Sequence, residues 1–122
     1  MAEKLTSLER SLKCAEFAFD KKGFDIKVID IKDISSISDY LVLVSGNSDK
    51  HVQAIADSIK SGLKKYGKTN EIEGITEGKW VVMDYVDVLV HIFHEPLRSY
   101  YDLDSLWKQG PQIALPEEYN NL

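Results

Sequence analysis

Few side chains in this sequence have the chemistry for a reaction. The three histidines are His51, His91 and His94. His91 and His94 stand three apart in a segment that reads as a strand and its end, so alternation points them to opposite faces. Neither Cys-x-x-Cys nor His-Glu-x-x-His spacing occurs, so no metal site and no cofactor are expected. Cys14 is the one cysteine. Next to an apolar helix face it reads as a small core or boundary residue rather than a nucleophile. Ser45-Gly46-Asn47-Ser48 joins a strand to a helix N-terminus, where free N–H groups favour an anion. With one glycine and no lysine at the phosphate spacing, it is neither a P-loop nor a dinucleotide fingerprint.

Carboxylates give a sharper possibility. Glu71 and Glu73 are two apart in a presumed strand and share a face. With Asp84 or Asp87 on a neighbouring strand they could hold a divalent ion for nucleotidyl transfer. The simpler reading turns Ile72 inward and leaves both glutamates in water. The remaining candidate is a surface. Alternation puts Trp80, Val82 and Asp84 on one face of a strand and Val81 and Met83 on the other, with Tyr85 and Asp87 on the corner that follows. An aromatic beside an acid is usual at an interface, where Trp and Tyr serve as anchors. A core Trp with an exposed hairpin acid fits the same pattern, and spacing does not decide between the two.

These residues depend on the elements that carry them. Leu5, Leu8, Leu12, Ala15 and Phe19 recur at steps of three and four, the apolar face of a first helix that Gly23 ends. Phe24 to Ile31 and Tyr40 to Ser45 read as strands, the second apolar enough to be buried on both faces. Ser48 caps a second helix whose stripe is Val52, Ile55, Ala56, Ile59, Leu63 and Tyr66, ended by Gly67. Lys68 to Ile75 is a candidate short strand. Trp80 to Asp84 and Asp87 to Phe93 form a hairpin around the Asp84–Asp87 corner. Pro96 stops the last strand, and Leu97 to Trp107 fit a final helix less cleanly. The order α-β-β-α-β-β-β-α predicts an α/β (α+β) fold, a mixed five-stranded sheet covered by helices. The second helix is expected to cross over between neighbouring strands.

The chain has 122 residues, 43% hydrophobic and 29% charged, enough for one domain with a real core. We expect that domain over residues 1–110 and a loosely attached tail over 111–122, where two prolines and polar residues offer little to bury. No apolar stretch approaches a membrane span, no basic-then-apolar leader opens the chain, and the lone cysteine suits a reducing compartment. The net charge is −5. From Thr69 to Leu106 eight acids face two bases, a net of −6, while the remainder has thirteen bases and twelve acids, a net of +1. That distribution argues against non-specific nucleic-acid binding and favours a basic partner. A solvated acidic face would look the same.

Several separated runs, in register, resemble the ribosomal silencing factor family (the Iojap and YbeB-like proteins). They are Ile37-Ser38-Asp39-Tyr40-Leu41-Val42-Leu43-Val44-Ser45-Gly46-Asn47-Ser48, Ala54-Ile55-Ala56-Asp57, Glu73-Gly74, Trp80-Val81-Val82-Met83-Asp84-Tyr85, Asp87 to Phe93, and Tyr101-Asp102-Leu103-Asp104-Ser105-Leu106-Trp107. The resemblance spans about residues 5–108. It implies a nucleotidyltransferase-like fold without the transferase chemistry, and a cytoplasmic protein (organellar in eukaryotes), commonly a homodimer. It also implies binding to the large ribosomal subunit through ribosomal protein number fourteen of the universal large-subunit series. The bound body blocks the small subunit and represses translation when nutrients are scarce. The family's contact region falls on Trp80, Asp84 and Tyr85, and Asp87 joins them as a second corner acid. Direct RNA contact stays open: Lys50, Lys60, Lys64 and Lys65 could approach RNA, although solvated lysines look the same. Val86 stands where the family corner usually has glycine, and a β-branched residue dislikes positive φ. The rival is a metal-dependent nucleotidyltransferase using Glu71, Glu73 and Asp84; a third reading is a structural dimer module with no ribosomal role.

Overall fold

The computed structural model describes residues 4–67 and 71–120. Helix α1, Ser7–Asp20, begins where Thr6 and Glu9 close a capping box: the Thr6 hydroxyl accepts from the Glu9 N–H, and Glu9 accepts from the Thr6 N–H. Its buried face is Ser11, Cys14, Ala15 and Ala18, rotated from the leucine stripe expected, and Leu8 is exposed. The reason is close approach. Small residues let α1 lie near the sheet, and a Cβ on Gly23 would meet the Val44 side chain at 2.7 Å. Leu5 and Phe19 pack at the rim of the same core.

Strands β1 (Phe24–Asp30) and β2 (Tyr40–Gly46) pair antiparallel, and β2 is buried along its whole length. Helix α2, Asp49–Leu63, starts at Ser48, whose hydroxyl accepts from the His51 N–H, and buries Val52, Ile55, Ala56, Ile59 and Leu63. A 3-10 turn over Lys64–Tyr66 ends at Gly67, which has a φ of 130°. Strand β3 is Glu71–Glu73; positions 68–70 of the longer strand expected lie outside the described residues. Strands β4 (Trp80–Asp84) and β5 (Val88–His94) form the hairpin, and the sheet order is β1-β2-β5-β4-β3. Only β2 and β5 run parallel. The crossover expectation fails in detail. After α2 the chain goes to the far edge strand β3 and returns through β4, so β5, not the next strand in sequence, becomes the parallel neighbour of β2.

One face of the sheet is closed by α1 and α2 over Ile26, Val28, Val42, Val44, Val81, Met83, Val90 and Ile92. Fully burying a side chain of this size contributes about 1.5–3 kcal/mol, so this layer dominates stability. The other face has a smaller core of Ile29, Ile31, Leu41, Leu43 and Phe93. Helices α3 (Glu95–Tyr101, with Pro96 in its first turn) and α4 (Leu103–Leu106) cover it in part. The single helix expected is two, because Asp102 takes the left-handed conformation (φ 50°) between them.

Arg98 holds that cover on the sheet. Buried, it donates from Nε and Nη2 to the Asp104 carboxylate at 2.9 and 3.0 Å, and from Nη1 to Ser45 Oγ at 2.9 Å and to the Asp25 carbonyl. Lys27 Nζ donates to the same carboxylate at 2.7 Å. The two cations hold the Asp104 carboxyl down at about 2, the Arg98 hydrogen bonds being the largest cause.

Over its described residues, 111–120, the tail is not loose. Asp30 N–H donates to the Pro111 carbonyl and Ile113 N–H to the Val28 carbonyl, with Gln112 bridging Ile29, so this segment pairs with the outer edge of β1. Tyr119 is buried and stacks on Phe19 at 4.5 Å. An open strand edge needs a cover, and the polar composition of the tail concealed that its backbone supplies one.

Candidate functional site

Away from the Tyr101 end, the second sheet face is half-open: Val82, Asp84, Leu89 and His91 are half-buried, and Glu71 and Glu73 are exposed. The register sets its rows: Glu71 opposite Asp84 opposite Leu89, then Glu73 opposite Val82 opposite His91, then Trp80 opposite Phe93. Alternation holds as expected, with Val81 and Met83 buried on the helical side and Trp80, Val82 and Asp84 half-buried on the open side. The face therefore grades from a buried base at Leu41, Leu43 and Phe93 to an acidic rim at Glu71, Glu73 and Asp84.

Trp80 occupies the centre of an aromatic group. Its ring centroid lies 5.1 Å from Phe93, 5.2 Å from Tyr101 and 5.9 Å from His91. Its indole Nε1–H donates to His91 Nδ1 at 3.0 Å. Burial alone pushes the His91 imidazole down to about 4, so the ring is neutral and keeps Nδ1 free to accept. Tyr100 packs edge-on against Tyr101 at 5.1 Å and is among the most exposed large side chains.

The corner behaves differently from its sequence reading. Asp87 N–H donates to the Tyr85 carbonyl at 2.9 Å, closing a three-residue turn around Val86, whose φ is 74°. That is the strained form of the γ-turn. Asp84 Oδ1 accepts from the Val86 N–H at 2.7 Å, and Ser38 Oγ donates to the Val86 carbonyl at 3.1 Å, so the strain is held from both sides. Tyr85, expected on the exposed corner, turns inward: it is 6% exposed, under Arg10, and its hydroxyl has no hydrogen-bond partner among the described residues. Burial pushes that phenol well above its ordinary value. Asp87 is half-exposed but accepts from Arg10 Nε at 3.0 Å. The structure thus brings Trp80 and Asp84 together on the open face and separates Tyr85 and Asp87 from them.

Other candidates resolve into structural roles. His51 Nδ1 accepts from the Asn47 N–H, and its Nε2 lies 2.7 Å from the Lys21 carbonyl. His94 Nδ1 lies 3.2 Å from Asp49. At the start of α2 the Asn47 and His51 N–H groups are thus taken up by the chain's own side chains, which leaves little for an anion. Cys14 is buried, and burial raises its thiol far out of the reactive range. Glu71, Glu73 and Asp84 do line one shallow cavity, of about 140 Å³, with Val82 and Leu89. Among the described residues, no three or more His, Cys, Asp or Glu side chains are grouped so as to hold a metal ion.

Sequence reasoning missed His91, Tyr101 and Arg98. His91 was recoverable as a hairpin neighbour of Trp80: a corner that pairs Asp84 with Asp87 sets position 80 opposite 91, and the observed register, shifted by two, sets Val82 opposite His91 and Trp80 opposite Phe93. Tyr101 and Arg98 arrive from α3, whose placement no local pattern reveals.

The candidate site is thus an acid-rimmed aromatic sheet face on an α+β body. The model of the family described as "Ribosomal silencing factor during starvation" matches residues 4–121. A Bacillus subtilis protein named ribosomal silencing factor RsfS is 45% identical over 97 residues, covering 79% of this chain and 82% of that protein. The chloroplastic Iojap protein of Arabidopsis thaliana is 30% identical over 113 residues, covering 92% of this chain and 47% of that one. A crystal structure of a Chromobacterium violaceum protein superposes with a TM-score of 0.83 at 33% identity, covering 92% of this chain and 95% of its own. The chain belongs to the ribosomal silencing factor family. The family description names a regulatory role rather than a reaction. Among the described residues no helix is long and apolar enough to cross a membrane.

Proposed function

We propose that this protein represses translation by docking on the large ribosomal subunit, through ribosomal protein number fourteen of the universal large-subunit series, and excluding the small subunit by bulk. The observation that carries the reading is the half-open sheet face, where Trp80 is packed at the centre and Glu71, Glu73 and Asp84 form the rim. Such a face matches a basic protein surface: the ring supplies desolvated contact area, and the carboxylates set register and on-rate. Family membership supports the ribosomal assignment. Asp87 contributes little in this reading, since Arg10 pairs with it, and Tyr85 acts from below by supporting the corner. The protein works in the cytoplasm and self-associates as a homodimer in the same reading, while RNA contact through the lysines of α2 is left open. Joining of purified subunits, followed by sedimentation, is the test. Added protein should reduce the complete ribosome in proportion to its concentration, and undiminished joining refutes the proposal.

The nucleotidyltransferase alternative keeps one observation, the cavity shared by Glu71, Glu73 and Asp84. Calorimetric titration with ATP or CTP and magnesium discriminates: saturable metal-dependent binding supports the enzyme, and a flat titration removes it.

A further inference from the structure

We propose that His91 is the positioning residue of the docking face: by accepting the Trp80 indole N–H it fixes the ring orientation offered to the ribosomal partner. The inference deepens the docking proposal and rests on it. Trp80 begins β4 and sits diagonally across from His91 in the hairpin, since Val82 is the residue directly opposite. The torsion that swings an indole about its last bond has a broad minimum, so packing alone leaves the ring free to rock. The 3.0 Å bond to Nδ1 removes that freedom at the ring's polar edge, while Phe93 and Tyr101 confine its neighbouring surfaces. His91 also stacks with Phe93, at 6.0 Å and 9° between planes, so the imidazole is itself held in place. A neutral imidazole with a bare Nδ1 is required, and its burial favours that form at neutral pH.

The arrangement has a specificity consequence. With its N–H already used, Trp80 has no donor left and presents ring carbon. The partner group that fits is an aliphatic or guanidinium surface lying on the ring, not a carbonyl approaching its edge. The acidic rim beside it selects the same kind of partner, a basic one.

The test separates the bond from the docking. In ¹⁵N-labelled protein the Trp80 indole resonance is assigned against Trp107→Phe. His91→Phe keeps an aromatic filler but no acceptor, and His91→Asn restores an acceptor near Nδ1. In His91→Phe we expect the Trp80 indole proton to exchange with solvent about tenfold faster, the factor that matches one net hydrogen bond, whereas His91→Asn retains protection. Affinity for purified large subunits should fall by about three- to tenfold in His91→Phe and recover in His91→Asn. Unchanged indole exchange in His91→Phe overturns the proposal, as does altered exchange with unaltered affinity, or an Asn variant that binds as weakly as the Phe variant. Failure of the unmodified protein to bind large subunits, with its indole still protected, overturns the docking reading and removes the positioning role with it.

Discussion

Truncating Trp80 to alanine tests the docking face most directly, and the structure sets the size of the effect. The indole is mostly packed against Phe93, Tyr101 and His91, so on the order of 50 Å² remains for a partner to cover, about 1.3 kcal/mol at 25 cal/mol per Å². Removing the ring also frees Tyr101 to collapse into the gap, which adds reorganisation cost to binding. Together these give about 2 kcal/mol, a loss of about thirtyfold in affinity. The same truncation opens a partial cavity and should destabilise the fold by about 2–3 kcal/mol, less than for a fully buried tryptophan. Against a typical stability of about 5–15 kcal/mol, the variant stays folded. Co-sedimentation with large subunits, run beside a thermal melt, reads both numbers. A folded Trp80→Ala protein that binds within about twofold of the original, well under the factor expected of an anchor, refutes the assignment.

Val86→Gly relieves the positive φ of the corner and should raise unfolding free energy by about 1 kcal/mol in urea titration, the strain released outweighing the entropy glycine adds. Charge neutralisation by Glu71→Gln with Glu73→Gln should slow association and flatten its salt dependence while leaving dissociation nearly unchanged; stopped-flow kinetics at two ionic strengths checks this. Asp104, held at about 2 between Arg98 and Lys27, has a folded pKa below its unfolded value. Its stabilisation is therefore present above about pH 4 and lost as pH falls toward 2, roughly 1 kcal/mol after allowing for solvent screening. Acid unfolding of Asp104→Asn should lack that component. Thr6→Ala removes half of the α1 capping box and should lower stability by about 1 kcal/mol.

The elements that follow a strict period were legible in the residues themselves. The stripe Val52, Ile55, Ala56, Ile59, Leu63 and the unbroken run of β2 each have one burial solution. Helix α1 was legible as a helix but not in its rotation, because its packing is decided by Ala15, Ala18 and Gly23 rather than by its largest side chains. The face that Trp80 and Asp84 share was legible, since alternation along a strand leaves one choice. Tyr85 was read as part of the exposed corner, yet alternation continues through it: its N–H still donates to the Val88 carbonyl, and its ring falls on the side of Val81 and Met83, in the core under Arg10. Residues 111–122 were read by composition as loosely attached, yet the backbone hydrogen bonds that tie positions 111 and 113 to β1 carry no compositional signal.

The strand order has a consequence for synthesis. On a growing chain β2 appears early and finds β1, but its other flank waits for β5, which is made only after α2, β3 and β4. The outer edge of β1 waits longer still, until the Pro111–Ile113 segment has left the tunnel. Through that interval a mostly apolar ribbon stands with one side unsealed, a natural template for misassociation between nascent chains. Chaperone engagement should therefore peak while the middle of the message is being read, and shortened products ending before β5 should aggregate rather than merely lose activity.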